Sequence, residues 1–364
     1  MKLYIITGEP SGDMHAANLV SELKKEIKNI QIRAWGGDKL IKEDVQLVRH
    51  IKETSVMGFY QVLKNINLIR KNLAFCKEDI LTFKPDAIVL IDYPGFNLRI
   101  AKFAKKNAIK VYYYIPPKVW AWNENRINKI RKYVDHLLVV FPFEEEYYKS
   151  NSIRAEYVGN PIFDEIKKKR PSFSYKINKP IIALLPGSRK QEIDKILDEM
   201  LSVVNDFKDY QFIIGCTNSF AKDYYQSFIK ERNVKLVFGE TYNLLQNAKV
   251  ALVASGTASL EAAFLSVPQI VCYKTSLITY IIARFLIKIK YISLVNILLD
   301  KQVVVELIQQ NLNRSNVKKN LHILLDENFS DKILINYKKI KKIFGSSNAS
   351  KNVSKYIISS LKEI

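Results

Sequence analysis

The sequence lacks the features of several protein classes. Its three cysteines, Cys76, Cys216 and Cys272, lie far apart without metal-site spacing, so we expect buried thiols in a reducing, cytoplasmic compartment. No apolar stretch approaches the roughly 18–20 residues that span a bilayer, and the short first apolar run predicts no signal peptide. Asp-x-Asp triplets and His/Cys/Asp clusters with ligand spacing are also absent, so we expect neither a metal nor another cofactor.

Acidic residues are few beside basic ones. The chain carries 57 Lys and Arg against 36 Asp and Glu, a net charge of +21. Three explanations compete: compositional drift in a chain rich in Lys, Ile and Asn, an anionic membrane surface, or nucleic acid. The sequence contains no helix-turn-helix, RNP or zinc-finger pattern, and the lysines are scattered among Ile and Leu. We therefore expect no nucleic-acid partner, whereas drift and an anionic membrane surface both stay open.

Apolar strands alternate with helical patterns throughout the 364 residues, which predicts parallel sheets covered by helices. The polar, proline-bearing stretch 151–180 is typical of a linker. We predict an α/β protein with an N-terminal, acceptor-side Rossmann-like domain over residues 1–170 and a C-terminal, nucleotide-binding one over 171–345. A last helix within 346–364 is expected to pack on the first domain. Two such doubly wound domains with a cleft between them hold ligands at the carboxyl ends of their strands. The predicted strands are Leu3–Thr7, Ile30–Trp35, Ala87–Asp92, Lys110–Ile115, His136–Phe141, Ile181–Leu185, Tyr210–Gly215, Val234–Phe238, Val250–Ala254 and Gln269–Tyr273.

The turn Gly8–Asp13 joins the first strand to the helical pattern Met14–Ile27. Its two carboxylates, Glu9 and Asp13, would repel phosphate at close range. This turn therefore favours the binding of sugar hydroxyls over the binding of a nucleotide.

Two turns in the second half suit pyrophosphate instead. Pro186–Arg189 precedes the predicted helix Gln191–Met200, offering a close-approach glycine, free N–H groups and a guanidinium. Ala254–Glu261 repeats the arrangement: Ser255 and Thr257 are expected to cap the helix and donate to phosphate, and Glu261 to accept ribose hydroxyls. The alternative for Pro186–Arg189 is an ordinary αβ turn with a surface arginine, and the alternative for Ala254–Glu261 is a capped helix with a solvated glutamate.

Two further segments follow strands of the first half. Asp92, at the end of an apolar strand, is a candidate general base, with a helix-capping aspartate as the alternative. Ile115–Trp122 contains two prolines and two tryptophans, which predicts a rigid apolar segment at the end of its strand. We expect it to stack on a sugar or to contact acyl chains, with packing in the core and loops as the alternative. His15 ranks below Asp92 as a catalytic candidate.

Two apolar stretches with interleaved basic residues, Ser55–Phe75 and Leu277–Leu294, suit an interfacial position on an anionic leaflet. A core helix is the alternative for each.

In order and spacing, these motifs resemble lipid-A-disaccharide synthase, an inverting bacterial glycosyltransferase family of the GT-B fold. The matching segments are Gly8–Asp13, Val56–Gly58, Asp92–Asn97, Pro117–Trp122, Pro186–Arg189, Ser255–Glu261, Tyr291–Leu299 and Val304–Leu307.

The resemblance implies transfer of 2,3-diacylglucosamine from UDP-2,3-diacylglucosamine to the 6-hydroxyl of 2,3-diacylglucosamine 1-phosphate. The products would be a β-1,6-linked disaccharide 1-phosphate of lipid A biosynthesis and UDP. It also implies a Gram-negative source and a cytoplasmic enzyme peripherally bound to the inner face of the inner membrane. The alternative is another GT-B enzyme, a UDP-N-acetylglucosamine transferase or epimerase.

The resemblance also implies residue roles, Asp92 being the general base. The expected catalytic residues are Asp92, Glu9, Ser11 and Asp13. The expected UDP or substrate contacts are Gly187, Ser188, Arg189, Ser255, Gly256, Thr257, Glu261 and Asn296. The expected acceptor or lipid contacts are Gly8, Gly12, Met57, Asn97, Trp120 and Trp122.

The chain departs from the family pattern at two positions. Asn160 stands where histidine is common, so we assign it no catalytic role. Val295 stands where proline is usual, which affects the expected shape of that loop.

Overall fold

Short, fully buried strands followed by helices build two parallel sheets, one in each compact unit of the chain. A computed structural model describes residues 1–54, 66–121, 124–168, 173–277, 279–281, 289–345 and 348–362. Unit 1 comprises Met1–Asp164 and Ser346–Ile364, and unit 2 comprises Glu165–Gly345.

The described part of unit 1 contains a seven-stranded sheet of order β3-β2-β1-β4-β5-β6-β7, parallel throughout. The order reverses direction between β1 and β4, which makes their carboxyl ends the topological switch point. The strands are β1 (Lys2–Ile6), β2 (Gln31–Gly36), β3 (Gln46–His50), β4 (Ala87–Ile91), β5 (Lys110–Tyr114), β6 (His136–Val139) and β7 (Ala155–Tyr157).

Helices follow these strands, and proline sets the start of several of them. Pro10, Pro94 and Pro142 each open a helix, because proline's missing N–H costs nothing in the first turn. As a result, helices begin earlier than the apolar periodicity predicts. The helices are α1 (Pro10–Glu26), α2 (Asp38–Ile41), α3 (Ile51–Thr54), α4 (Ile66–Phe83), α5 (Pro94–Lys106), α6 (Arg126–Tyr133), α7 (Pro142–Ser150) and α8 (Pro161–Lys167).

The core of unit 1 lies between the sheet and its helices and carries polar atoms that are paired. Trp35 is 1% exposed, and its indole N–H donates to the Tyr4 hydroxyl at 2.9 Å. That hydroxyl donates in turn to Asp79 at 2.7 Å. Both polar groups, the indole N–H and the hydroxyl, are therefore hydrogen-bonded, and burying the two rings does not incur the cost of an unsatisfied donor.

Unit 2 repeats the architecture with a six-stranded parallel sheet in its described residues, of order β10-β9-β8-β11-β12-β13. Its direction reverses between β8 and β11. The strands are β8 (Ile181–Leu185), β9 (Gln211–Cys216), β10 (Val234–Phe238), β11 (Ala248–Ala254), β12 (Gln269–Tyr273) and β13 (Val305–Ile308). The helices are α9 (Lys190–Leu201), α10 (Lys222–Ile229), α11 (Thr241–Gln246), α12 (Thr257–Phe264), α13 (Leu294–Leu299), α14 (Arg314–Leu325) and α15 (Glu327–Phe344), with 3₁₀ turns at Val204–Asp206 and Gln309–Asn311.

The last helix, α16 (Ala349–Lys362), belongs to unit 1 and packs against α1. The Asp164 carboxylate accepts hydrogen bonds from the backbone N–H groups of Ala349 and Ser350 and so caps the helix. Near the other end, the Ser360 hydroxyl lies 2.7 Å from that of Tyr112. Polar contacts therefore fix both ends of α16 on unit 1.

The predicted class, α/β with two doubly wound parallel sheets, is confirmed. Three strands, β3, β7 and β13, were not predicted. β3 and β7 have no fully buried residue and β13 has one, so they lack the continuous apolar run of a central strand. β7 and α8 also show that ordered structure occupies part of the stretch 151–180.

In the described ranges, no helix combines the length and apolarity that a membrane span requires. Residues 55–65, 278 and 282–288, which make up much of both stretches predicted to lie on a leaflet, are outside those ranges.

The packing of α16 yields a stability prediction. Ile357 is fully buried, so Ile357→Ala should lower the free energy of unfolding of unit 1 by about 2–5 kcal/mol through lost burial and a residual cavity. Urea unfolding followed by tryptophan fluorescence measures this, because the three tryptophans of the chain all lie within residues 1–164. The exposed Lys355→Ala on the same helix is the control, expected within about 0.5 kcal/mol of wild type. Equal unfolding midpoints for the two variants would contradict the packing.

Candidate functional site

Four of the predicted motifs follow strands that flank a switch point. In unit 1 the turn after β1 carries Glu9 and the turn after β4 carries Asp92, and these strands are hydrogen-bonded neighbours. In unit 2 the turn after β8 carries Gly187 and the turn after β11 carries Gly256. Each unit thus brings two motifs together at the sheet edge where α/β proteins hold ligands.

The glycines of the opening motif serve close packing. A methyl group at Gly8 would lie 2.4 Å from the Tyr93 ring, and one at Gly12 would lie 2.0 Å from the Thr7 hydroxyl. Both glycines are buried. Gly8 therefore lets the two turns of unit 1 approach each other, and Gly12 lets α1 approach Thr7, while their contact with the acceptor stays a prediction.

Asp13 also has a structural position. It is 3% exposed, and its carboxylate accepts hydrogen bonds from the backbone N–H groups of Gly37 at 2.6 Å, Lys39 at 3.0 Å and Leu40 at 3.3 Å. These donors form the start of α2, whose first turn needs acceptors. The oxygens of Asp13 are thus engaged with the loop after β2, and its direct catalytic role stays a prediction.

Glu9 and Ser11 are the accessible polar residues of the opening motif. Glu9 is half-buried at the N-cap position of α1, and Ser11 is exposed in its first turn. The pKa of the Tyr93 hydroxyl is raised, first by burial and then by the negative charge of Glu9. Glu9 therefore lies close to the turn that carries Asp92.

Asp92 occupies an unusual backbone conformation. Asp92 and Tyr93 have φ values of 48° and 49°, so two consecutive residues other than glycine are left-handed. The Asp92 carbonyl accepts hydrogen bonds from the Asn97 amide at 2.7 Å and the Tyr113 hydroxyl at 2.8 Å. Asn97 is fully buried and holds the Asp92 turn in place, and its expected contact with the acceptor stays a prediction.

Two cations near Asp92 were not among the predicted site residues. Burial lowers the pKa of Lys118, and the nearby carboxylates of Glu144 and Asp92 partly offset this. Arg126 likewise senses the charge of Asp92. A sequence signal existed for Arg126, since it opens α6 and a cation is unfavourable at the positive end of a helix.

The Trp120 side chain is half-buried and has a packing role. Its indole N–H donates to Glu144 at 3.0 Å, and its ring meets those of Phe141 and Phe143 edge-on. Glu144 is 1% exposed, and burial raises its pKa. These contacts match the packing alternative for Trp120. The predicted contacts Trp122 and Met57 lie outside the described residues.

The turn after β8, the first one predicted to bind pyrophosphate, contacts the carboxylate of Glu192, which the motif Pro186–Arg189 does not include. Gly187 has φ +110°, and a methyl group there would meet the Glu192 carboxylate at 2.5 Å. That carboxylate accepts from the backbone N–H groups of Ser188 at 3.3 Å and Arg189 at 3.4 Å. Glu192 thus takes the N–H groups expected to bind phosphate, while the Arg189 side chain stays more than half exposed.

The turn after β11, the second one predicted to bind pyrophosphate, is open. Gly256 is the N-cap residue of α12, no side chain caps the helix, and a methyl group at Gly256 would have no atom within 4 Å. The expected capping by Ser255 and Thr257 is corrected, since Ser255 donates instead to the Ile292 carbonyl at 3.1 Å and Thr257 is exposed. Glu261, half-buried, lies one turn further along.

Asn296 supports this second loop from within the protein. It is fully buried, and its amide donates to the Val304 carbonyl at 2.9 Å and Glu306 at 2.8 Å, while its oxygen accepts from Val303 and Val304. Asn296 thus has a structural role, and its expected contact with UDP stays a prediction. Glu306 also accepts from the backbone of Ile292, whose carbonyl receives the Ser255 hydroxyl.

Both departures from the family pattern have a local explanation. The Val295 N–H, which proline lacks, donates to the Ser293 hydroxyl at 3.2 Å and caps α13. Asn160 is 2% exposed; its amide donates to the Val140 carbonyl, and its oxygen accepts from the Ile162 N–H at the start of α8.

Metal-ligating side chains do not gather in the part of the chain that the structure describes: it holds no group of three or more His, Cys, Asp or Glu side chains that could hold an ion.

Known proteins with this fold carry the same two parallel α/β units. A UDP-GlcNAc 2-epimerase from Neisseria meningitidis bound to UDP-GlcNAc superposes with a TM-score of 0.68 at 16% identity, covering 100% of both chains. The glycotransferase of kitacinnamycin superposes with a TM-score of 0.68 at 10% identity over 99% of both chains. At these identities the likeness shows the fold alone, and it confirms the predicted GT-B class.

Sequence relatives are closer. Lipid-A-disaccharide synthase 1 of Legionella pneumophila is 34% identical over 376 residues, covering 100% of this chain and 98% of that protein. Lipid-A-disaccharide synthase of Coxiella burnetii is 34% identical over 367 residues, covering 97% and 96%. The family model described as lipid-A-disaccharide synthetase matches residues 3–359. The chain therefore belongs to the lipid-A-disaccharide synthetase family.

Proposed function

We propose that the chain transfers 2,3-diacylglucosamine from UDP-2,3-diacylglucosamine to the 6-hydroxyl of 2,3-diacylglucosamine 1-phosphate, forming the β-1,6-linked disaccharide 1-phosphate and UDP. Membership of the lipid-A-disaccharide synthetase family supports the overall reaction. The observation that carries the mechanism is the fixed turn of Asp92 at the switch point of unit 1, beside Glu9 and Ser11.

Asp92 acts as the general base in this proposal. A sugar hydroxyl is a weak nucleophile, so a carboxylate held in place must take its proton as the new glycosidic bond forms. Attack on the face opposite UDP inverts the anomeric centre. Glu9 and Ser11 orient sugar hydroxyls, and Asp13 positions their loop through the start of α2.

The leaving UDP binds in unit 2. The uncapped start of α12 at Gly256 offers backbone N–H groups and the positive end of the helix dipole to the pyrophosphate. Arg189 adds its guanidinium, because its backbone N–H is already bound to Glu192. Glu261 accepts hydrogen bonds from the ribose. Electrostatic stabilisation of the departing diphosphate lowers the barrier on the donor side.

The acylated substrates imply a membrane location, and the proposal includes peripheral binding to the anionic inner face of the inner membrane. The net charge of +21 supports this attraction. Nucleic acid is not a partner in the proposal.

Mass spectrometry of the products tests the reaction as a whole. Incubation with UDP-2,3-diacylglucosamine and the monosaccharide phosphate should give the tetraacylated disaccharide phosphate and stoichiometric UDP. Replacing the donor by unacylated UDP-N-acetylglucosamine should give no product. An epimerised UDP-sugar, or a disaccharide that carries acyl chains only on the acceptor sugar, formed from that donor would favour a UDP-N-acetylglucosamine epimerase or transferase instead.

The role of Asp92 can be tested without disturbing its backbone. Asparagine tolerates a left-handed conformation, so Asp92→Asn should fold normally while kcat falls about 10²- to 10⁴-fold for want of a base. Asp44 is an exposed aspartate with φ 50°, so Asp44→Asn is the matched control and should keep wild-type activity. UDP affinity should be unchanged in both variants. Near-normal turnover by Asp92→Asn would remove Asp92 from the chemistry.

The open start of α12 generates a graded test. Gly256→Ala adds a methyl group where no atom lies within 4 Å, so it should fold normally, and Gly256→Val extends the same side chain by two methyl groups. The affinity for UDP, measured by calorimetry, should fall about tenfold for alanine and further for valine, because steric conflict costs about 1–3 kcal/mol. Unfolding midpoints serve as the control for fold. Unchanged UDP affinity in Gly256→Val would place the pyrophosphate elsewhere.

A further inference from the structure

A basic pocket lies between α5 and α6 of unit 1, at the carboxyl edge of the sheet. It has a volume of about 430 Å³ and is lined by α5 from Pro94 to Lys102 and by α6 from Arg126 to Tyr133. Four cationic side chains line it: Arg99, Lys102, Arg126 and Lys129. None of its nine described lining residues is acidic, so the pocket is strongly positive.

The arrangement of these cations is unfavourable for the helices that carry them. Arg99 and Lys102 lie three residues apart on α5, as do Arg126 and Lys129 on α6, so each pair presents like charges on one helix face. Arg126 adds a cation at the positive end of α6. Each like-charge pair costs a few tenths of a kcal/mol, and an anionic ligand between the two helices would offset that cost.

The pocket lies next to Asp92. Its lining begins at Pro94 and Gly95, two and three residues after Asp92 in the chain, and Arg126 senses the Asp92 carboxylate. A ligand whose anionic group fills the pocket therefore places its adjoining atoms near the proposed base. The volume falls in the range of small-molecule sites, which leaves room beyond the anion itself.

We infer that this pocket binds the phosphate monoester of the acceptor sugar. The inference rests on the proposed function, in which Asp92 takes the proton of the acceptor's 6-hydroxyl. Only a few covalent bonds separate that oxygen from the phosphorus at C1, so one sugar can reach both sites. A phosphate monoester carries between one and two negative charges near neutral pH, and arginine and lysine bind it through charge-assisted hydrogen bonds.

A double variant with a matched control tests the inference. Lys102→Gln with Lys129→Gln removes one exposed charge from each helix inside the pocket. Lys106→Gln with Lys132→Gln removes one exposed charge from each of the same helices outside it. The pocket variant should raise KM for the phosphorylated acceptor about 10- to 100-fold, the loss expected for charge-assisted contacts. Its kcat and its KM for the UDP-sugar should stay near wild type, and the control should match wild type throughout.

An acceptor without the phosphate makes the test specific. Wild type and the pocket variant should use it with equal kcat/KM, because the lost contact is missing in both. Equal KM values of the pocket and control variants for the phosphorylated acceptor would overturn the inference. So would a difference that persists with the unphosphorylated acceptor.

The source of the phosphate and the proposed reaction are tested separately. Assays in nonionic detergent micelles contain no anionic lipid, and the rise in KM should appear there unchanged. A rise seen only with phosphatidylglycerol vesicles would assign the pocket to a membrane headgroup and overturn the inference. Direct binding of the phosphorylated monosaccharide, followed by calorimetry without donor, should weaken in the pocket variant even if the wild-type protein forms no disaccharide. A failure of the reaction is therefore distinguishable from a failure of the pocket.

Discussion

Two consecutive left-handed residues at the end of β4 are the constraint on which the site of unit 1 depends. Left-handed geometry costs about 1–2 kcal/mol for each residue other than glycine, and Asp92 and Tyr93 both adopt it. Hydrogen bonds from Asn97 and Tyr113 to one carbonyl contribute about 0.5–1.5 kcal/mol each, which is comparable. The turn therefore depends on both donors, and on Gly8, whose missing side chain admits the Tyr93 ring.

The turns after β1, β4, β8 and β11 could be assigned to the ligand-binding edge of their sheets from the sequence, because each follows a strand that is apolar on both faces. β1, β4, β8 and β11 are the central strands, and their burial reads as a continuous apolar run. Parallel pairing then puts their carboxyl ends at one edge. The edge strand β3 contains the polar residues Gln46, Arg49 and His50. Its composition is therefore typical of a loop, and the sequence did not predict a strand there.

The sequence could not separate polar residues that face a ligand from those that hold the site together. Asp13, Asn97 and Asn296 belong to motifs, yet each is buried with partners inside the protein. For Asp13 these partners lie 24 to 27 residues along the chain, on a loop whose approach only the folded sheet determines. The spacing of a motif predicts which turn a residue occupies. It does not predict the hydrogen-bond partners of that residue, because those depend on tertiary contacts.

Unit 2 shows how similar turns acquire different roles. After β8, Glu192 supplies the acceptors that the start of α9 needs, and its carboxylate also lies 3.6 Å from the guanidinium of Arg189. After β11, the start of α12 is open at Gly256. This turn is fixed by the hydrogen bond from the Ser255 hydroxyl to the Ile292 carbonyl, and the Ile292 N–H in turn donates to Glu306. An open helix start keeps its orphan N–H groups available to an anion. Stabilisation of a leaving group requires N–H donors that are held rigidly by the protein and are accessible to the ligand. The donors must be in place before negative charge develops on the leaving group.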